Sequence, residues 1–324
     1  VTRAAVLVAL FVVGCGAGQA PPPAPQPGAA APLEVRLGYA PGSRLLILHF
    51  DDLGVAGPEL RSAWAARDSG LLISASVIVP GPKFQEVAAY ARAHPDLDLG
   101  IHLALTSEWP GYRWGPLAPR SEVPTLLDQD SLLRRAWTDT TVVRWQEVEQ
   151  ELLAQVAAAR AAGIRPSHLD VHEYVLFTRG PVLFEILRRV AQSAGVPFLS
   201  AREWIAGRGR MRRLPAGPLE LARVVAIAPD VPPAQWEAFY TEQIRALPPG
   251  VSELILHPAA DSTAMKALTR ERVNWGAAWR ARDWAFVANT RFRRLLREEN
   301  VRLVTWRQID SVLSVDTHDK DRAP

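Results

Sequence analysis

The stretch RLLILHFDDLG, residues 44–54, runs through aliphatic residues and ends on two adjacent carboxylates, Asp51 and Asp52. Three later apolar runs end on titratable groups as well: His102 in GIHLALT, His172 in SHLDVH and His257 in LILHP. Imidazoles and carboxylates are the donors that divalent cations take, and the same groups work as general acids and bases. An Asp pair before a glycine can be a simple turn, but turn chemistry gives no reason for histidines at three further run ends. Convergence of the four ends on one cation accounts for the set. In SHLDVH the polar residues His168, Asp170 and His172 alternate with Leu169 and Val171, a strand pattern. Strand geometry puts His168 and His172 about 13 Å apart, too far to share an ion. His172, nearest the strand end, is therefore the candidate ligand, and His168 and Asp170 are deeper groups that would fix ring orientation by hydrogen bonding.

Such residues meet only if the elements carrying them run side by side. From residue 44 onward, short apolar runs alternate with amphipathic segments. Strands are expected over 44–50, 73–79, 98–105, 167–172, 197–201, 253–257 and 302–306, and helices over 58–68, 83–94, 145–162, 181–194, 233–246 and 279–299. In the third helix Trp145, Val148, Leu152, Leu153 and Val156 share a face, and Gly163 supplies the stop. This alternation is that of βα units around a parallel sheet or barrel, where strand carboxyl ends open on one mouth. Residues 106–144 interrupt it with a connection long enough to read as functional; 205–232 form a second irregular stretch and 313–324 a polar tail.

Composition narrows the class further. Hydrophobic residues make up 48% and charged residues 22% of the 324, and the formal net charge is +3. The arginines are scattered without the basic stripe that nucleic-acid binding requires, so no nucleic-acid partner is expected. No apolar run after residue 15 reaches the ~18 residues of a membrane span. The opening VTRAAVLVALFVVGC has one positive charge, an apolar run of signal-peptide length and the chain's only cysteine. Its Val-Val-Gly-Cys resembles a bacterial lipobox, which implies cleavage before Cys15 and acylation of that thiol. The expected organisation is a signal peptide over 1–14, the lipidated Cys15 with a Pro/Ala-rich tether over 15–42, one catalytic-type domain over 43–312 and the tail. That places the protein in the cell envelope, with its membrane contact made through the lipid alone.

HFDDLG, GIHLALTSEW, SHLDVH and ELILHPAA, in this order, resemble the motifs of the YdjC/ChbG-like carbohydrate deacetylases, relatives of the NodB-type polysaccharide deacetylase superfamily. The resemblance runs from about residue 44 to 310 and takes in WGAAWRARDW and the closing RLVTWRQI. It implies an α/β fold, an irregular (β/α) barrel of about seven parallel strands, and removal of an N-acetyl group from an amino sugar or oligosaccharide. It also implies Asp52, His102 and His172 as metal ligands, Asp51 as catalytic base and His257 as acid, around one divalent ion, Zn²⁺ by ligand type with Mg²⁺ as the alternative. Both carboxylates reach the mouth if regular strand geometry stops at Asp51. Arg202 is either an ion-pair partner that orients Asp51 or a surface residue. Trp109, Tyr112 and Trp114 either stack on sugar faces or pack on one another. Many family members follow the fourth motif with further histidines, whereas Glu173, Tyr174, Val175 and Leu176 follow His172 here, which leaves the sugar open. Two other functions remain: a different metal-dependent amide or ester hydrolase on the same scaffold, and a non-catalytic carbohydrate-binding surface lipoprotein, which would need no general base. A glycosidase is disfavoured, since adjacent carboxylates lack the separation that chemistry uses.

Overall fold

The computed structural model describes residues 31–109, 112–137, 142–178, 180–206, 210–214 and 219–320. Cys15 and the signal-like run lie outside them. The run RLLILHFDDL forms β1 (Arg44–Leu53), buried along nearly its whole length. Strands covered on both faces need apolar residues at every position, not at every second one. On β1, Leu46, Leu48 and Phe50 join the large core cluster beneath the helices, while Leu45 and Ile47 join a smaller cluster with Val224, Val251, Ile255, Val304 and Trp306. By the strand period of two, His49 and Asp51 continue the face of Leu45 and Ile47.

The other strands are β2 (Ser74–Val77), β3 (Leu99–Leu103), β4 (Leu169–Val171), β5 (Trp204–Ala206), β6 (Arg210–Arg212), β7 (Arg223–Ala226), β8 (Gly250–Leu256) and β9 (Val301–Val304). Their order is β4-β3-β2-β1-β8-β7-β5-β6, with β9 on the first half of β1, and all neighbours are parallel except β5 and β6. Residues 197–201 form no ladder. Instead Leu169 bridges to Phe198 and Ala201 to Leu221, so this segment connects β4 to the approach to β7 and curls the sheet into an irregular (β/α) barrel. The expected strand at 197–201 is thus replaced by two single bridges, because its backbone bonds divide between Leu169 on one side and Leu221 on the other.

Three strands, β5 to β7, lie in the stretch read as irregular; the apolar run RVVA of β7 is its one legible signal. The helix expected over 279–299 is two helices, Ala277–Ala288 and Thr290–Glu298. Asn289 is extended at ψ 137°, ends the first and caps the second through Oδ1 to Arg291 N at 2.9 Å. The helix Pro181–Ala194 has Pro at its start and the left-handed Gly195 as its stop. Leu33, Leu37 and Tyr39, in the segment read as tether, pack on the smaller cluster, and a helix over Trp306–Lys320 runs into the residues read as tail. Among the described residues no helix is long and apolar enough to cross a membrane.

Candidate metal and acid–base site

The carboxyl ends of β1, β3, β4 and β8 open on one cavity of about 270 Å³, lined by Asp51, Asp52, His102, His172 and His257. Two adjacent strand residues can both face it because β1 is irregular at that point. Its register with β2 shifts between Phe50 and Leu53, and Asp52 has a φ of +61°. A bulge of this kind re-aims a side chain, and a left-handed non-glycine residue is strain held by its surroundings. Gly54, at φ +100°, completes the turn where a Cβ would lie 3.0 Å from the carbonyl of Ile78. Glu173 and Tyr174, just after His172, also have positive φ, so both chain exits at the mouth are bent.

Asp52 Oδ1 lies 3.0 Å from His172 Nδ1 and 3.4 Å from His102 Nε2, and those two nitrogens are 3.3 Å apart. The rings are 5.2 Å apart and edge to face. Despite these distances, Asp52 Oδ1 is buried without a well-aligned hydrogen bond, the orphaned acceptor expected where a cation belongs. These three residues can offer one atom each to a common ion. The other Asp52 oxygen accepts from Arg280 Nη2 at 2.7 Å, and Arg280 Nη1 donates to Glu59 Oε1 at 2.8 Å. Burial opposes ionisation of Asp52, but Arg280 and His172 outweigh it and hold the carboxyl well below its usual range. Burial pushes Glu59 up to about 7 even with Arg280 beside it.

Each histidine of the trio is also held from behind. His102 Nδ1 lies 2.9 Å from Asp170 Oδ1, and Asp170 Oδ2 accepts from Ser76 at 2.9 Å. Burial works against the His102 imidazolium, yet Asp170 and Asp52 raise it to about 10. Asp170 itself is driven down to about 2, burial being outweighed by His102. His168 sits deeper. Its Nε2 meets His49 Nε2 at 3.2 Å, its ring stacks on Trp306 at 4.9 Å, and a Cβ on Gly100 would collide with it at 2.4 Å. It reaches His102 only through His49 and Asp170, whose Nε2 and Oδ2 are 3.7 Å apart.

Asp51 Oδ1 lies 2.9 Å from His257 Nε2. The His257 side chain is 16% exposed against 5% for Asp51, so the imidazole is the more accessible of the two from the mouth. Burial disfavours the His257 imidazolium, but Asp51 and Asp52 raise its pKa above the ordinary value. Its backbone N–H donates to Asp283 Oδ2 at 3.0 Å, and Asp283 Oδ1 accepts from Trp236 and Tyr240 at 3.0 and 2.8 Å.

Arg202 is exposed and does not line the cavity; the guanidinium that enters the carboxylate pair is that of Arg280, and it meets Asp52, not Asp51. Trp109 lines the cavity, whereas Tyr112 and Trp114 do not and pack on the core cluster. Trp204, Trp275 and Tyr174 complete the aromatic wall. None of these three carries a periodic signal pointing to the mouth. Arg280 does lie in the motif segment WGAAWRARDW, but its role depends on a contact 228 residues away in sequence.

The fold and site thus define an irregular (β/α) barrel with two histidines and a carboxylate converging at its mouth and an Asp–His pair beside them. Residues 45–298 match the family model described as YdjC-like protein, and the chain belongs to that family. It is 33% identical over 294 residues to a carbohydrate deacetylase from Thermus thermophilus, an alignment covering 86% of this chain and 98% of the relative. A carbohydrate deacetylase from Brevibacillus brevis is 32% identical over 153 residues, 47% of this chain and 57% of the relative. The crystal structure of a "putative cellobiose-phosphate cleavage protein" from Enterococcus faecalis V583 superposes with a TM-score of 0.65 at 20% identity, covering 82% of this chain and 98% of that one, a likeness of fold.

Proposed function

We propose that the protein is a metal-dependent carbohydrate deacetylase that hydrolyses the N-acetyl group of an amino sugar or oligosaccharide. The observation that carries this reading is the triangle of donor atoms from Asp52, His102 and His172, with edges of 3.0, 3.3 and 3.4 Å, next to the Asp51–His257 pair. Ligands at the usual zinc distances around a tetrahedral ion lie roughly 3.3–3.6 Å from one another. Octahedral ligands around Mg²⁺ lie about 2.9 Å apart and favour oxygen donors, so the two imidazoles and the wider edges favour Zn²⁺. A divalent cation held there would supply Lewis-acid polarisation of the acetamide carbonyl and acidify a water beside it.

The chain's own residues do the rest. Asp51 accepts a proton from the attacking water, and His257, whose protonated form its carboxylate neighbours favour, delivers a proton to the departing amine nitrogen. Asp283 fixes the backbone at His257, and Arg280 keeps the Asp52 carboxylate turned so that Oδ1 faces the two imidazoles. Of the aromatic side chains lining the cavity, Trp275 and Tyr174 are half-buried and give a sugar ring surfaces to lie against, whereas Trp109 and Trp204 are buried. The names of the Thermus and Brevibacillus relatives support the reaction class. The lipobox-like VVGC supports anchoring of the protein to a membrane of the cell envelope through Cys15. The test is incubation with a panel of N-acetylated mono- and oligosaccharides, with acetate release measured with and without a chelator. Release that stops on chelation and returns with Zn²⁺ is expected; release indifferent to chelation, or none from any sugar in the panel, refutes the proposal.

A further inference from the structure

Glu108 lies in the irregular connection after β3 and is buried, a position where a carboxylate needs a reason. Its Oε2 is 2.9 Å from Nε2 of His172. Its Oε1 faces Arg272 Nη1 at 3.5 Å, and Arg272 also reaches Glu173 Oε1 at 3.3 Å while lying over the Trp109 ring at 5.4 Å. The connection that carries Glu108 is pinned on both sides. Ser107 N donates to Arg134 O at 2.9 Å, Ser107 Oγ accepts from Trp114 N at 2.8 Å, and Trp137 Nε1 donates to Leu105 O at 3.1 Å. The carboxylate is therefore presented to His172 by a fixed backbone.

With Arg272 facing its other oxygen, Glu108 Oε2 is set to accept, and the His172 nitrogen facing it is the one placed to donate. That leaves the other nitrogen, Nδ1, as the one with a lone pair for an ion, and it is Nδ1 that lies 3.0 Å from Asp52 Oδ1. At His102 the wiring is reversed: Asp170 faces Nδ1 and Nε2 points to the other donors. We infer that Glu108 is a positioning residue that fixes His172 as its Nε2–H tautomer, so that the connection after β3 sets the metal site together with the barrel strands. The inference rests on the reading that this site takes a divalent cation.

The experiment uses the full chain labelled with ¹⁵N-histidine and loaded with Zn²⁺, together with the variants Glu108→Gln and Glu108→Ala. Long-range ¹⁵N NMR of the wild type should show His172 protonated at Nε2 and metal-shifted at Nδ1, with the opposite pattern at His102. Zn²⁺ affinity by chelator competition should fall about 10–100-fold in both variants, the usual effect of losing a group that orients a ligand histidine. Coordination of wild-type His172 through Nε2, or variant affinities within about threefold of wild type, would overturn the inference while leaving the deacetylase proposal standing. If the variants fail to fold, the wild-type spectrum alone decides. Failure of the wild type to take up Zn²⁺ sinks both.

Discussion

Arg280 is the buried group on which the site depends most heavily for charge balance, and Arg280→Met tests that directly. Its side chain is 3% exposed, and its guanidinium bonds at once to Asp52 at 2.7 Å and Glu59 at 2.8 Å, joining the end of β1 to the first turn of the helix Gly57–Asp68. Glu59 is further tied as the acceptor for Ala56 N at 3.0 Å, so it cannot swing out to solvent without uncapping that helix. Methionine keeps most of the stem volume and removes the charge. Breaking a buried pair from one side leaves an uncompensated charge and costs about 3–5 kcal/mol; here two carboxylates lose their partner, which places the expectation in the upper half of that range. At about 2–4 °C per kcal/mol for a domain of this size, the unfolding midpoint should fall by roughly 8–20 °C. The deficit should also depend on pH. Without Arg280 the Glu59 carboxyl titrates even higher; at pH 5.5 it is mostly neutral with or without Arg280, so the deficit comes chiefly from Asp52, whereas at pH 8 only the wild type can ionise it against a partner and the deficit grows. Urea unfolding of wild type and variant at the two pH values measures this. A loss below about 1 kcal/mol at pH 8, or one identical at both pH values, would refute the charge-balance argument.

Three further perturbations separate the roles in the site. Asp51→Asn should leave Zn²⁺ near stoichiometric while lowering turnover by about 10²–10⁴, the usual range for a lost general base; loss of metal instead, read by elemental analysis, would exchange the assignments of Asp51 and Asp52. His172→Ala should lose Zn²⁺ in the same assay, and full occupancy would remove it from the ligand set. Glu59 has a folded-state pKa raised to about 7, so the stability it lends is present below the ordinary carboxyl range and lost as pH rises through about 7. Glu59→Gln should therefore flatten the wild-type fall in stability between pH 5 and 8, at most about 1.4 kcal/mol per pH unit, and parallel profiles for the two proteins would exclude Glu59 as its source.

The primary structure by itself determined the elements with strong local signals and the residues at their ends. A doubly buried strand writes itself as an unbroken apolar run, so β1 and β8 were legible, and the helix expected over 181–194 has those bounds in the fold. Asp52, His102 and His172 could be picked out because a polar residue closing an apolar run is conspicuous in one dimension. Strand alternation alone put Asp170 on the face of His172, deeper than the strand end, and it lies behind His102. What only the tertiary structure decided concerns contacts that carry no period. Glu108 stands in a connection without regular structure, and Arg280 reads as one more arginine on a helix until the barrel brings it to Asp52, 228 residues earlier. The bulge that turns Asp52 into the mouth is likewise a property of the β1–β2 register, since identical residues in an unbroken ladder would send one carboxylate outward. Local propensity and periodicity act over a few residues, whereas burial of a charge is tolerated only where the whole fold assembles its partner, and that assembly is a property of the folded chain alone.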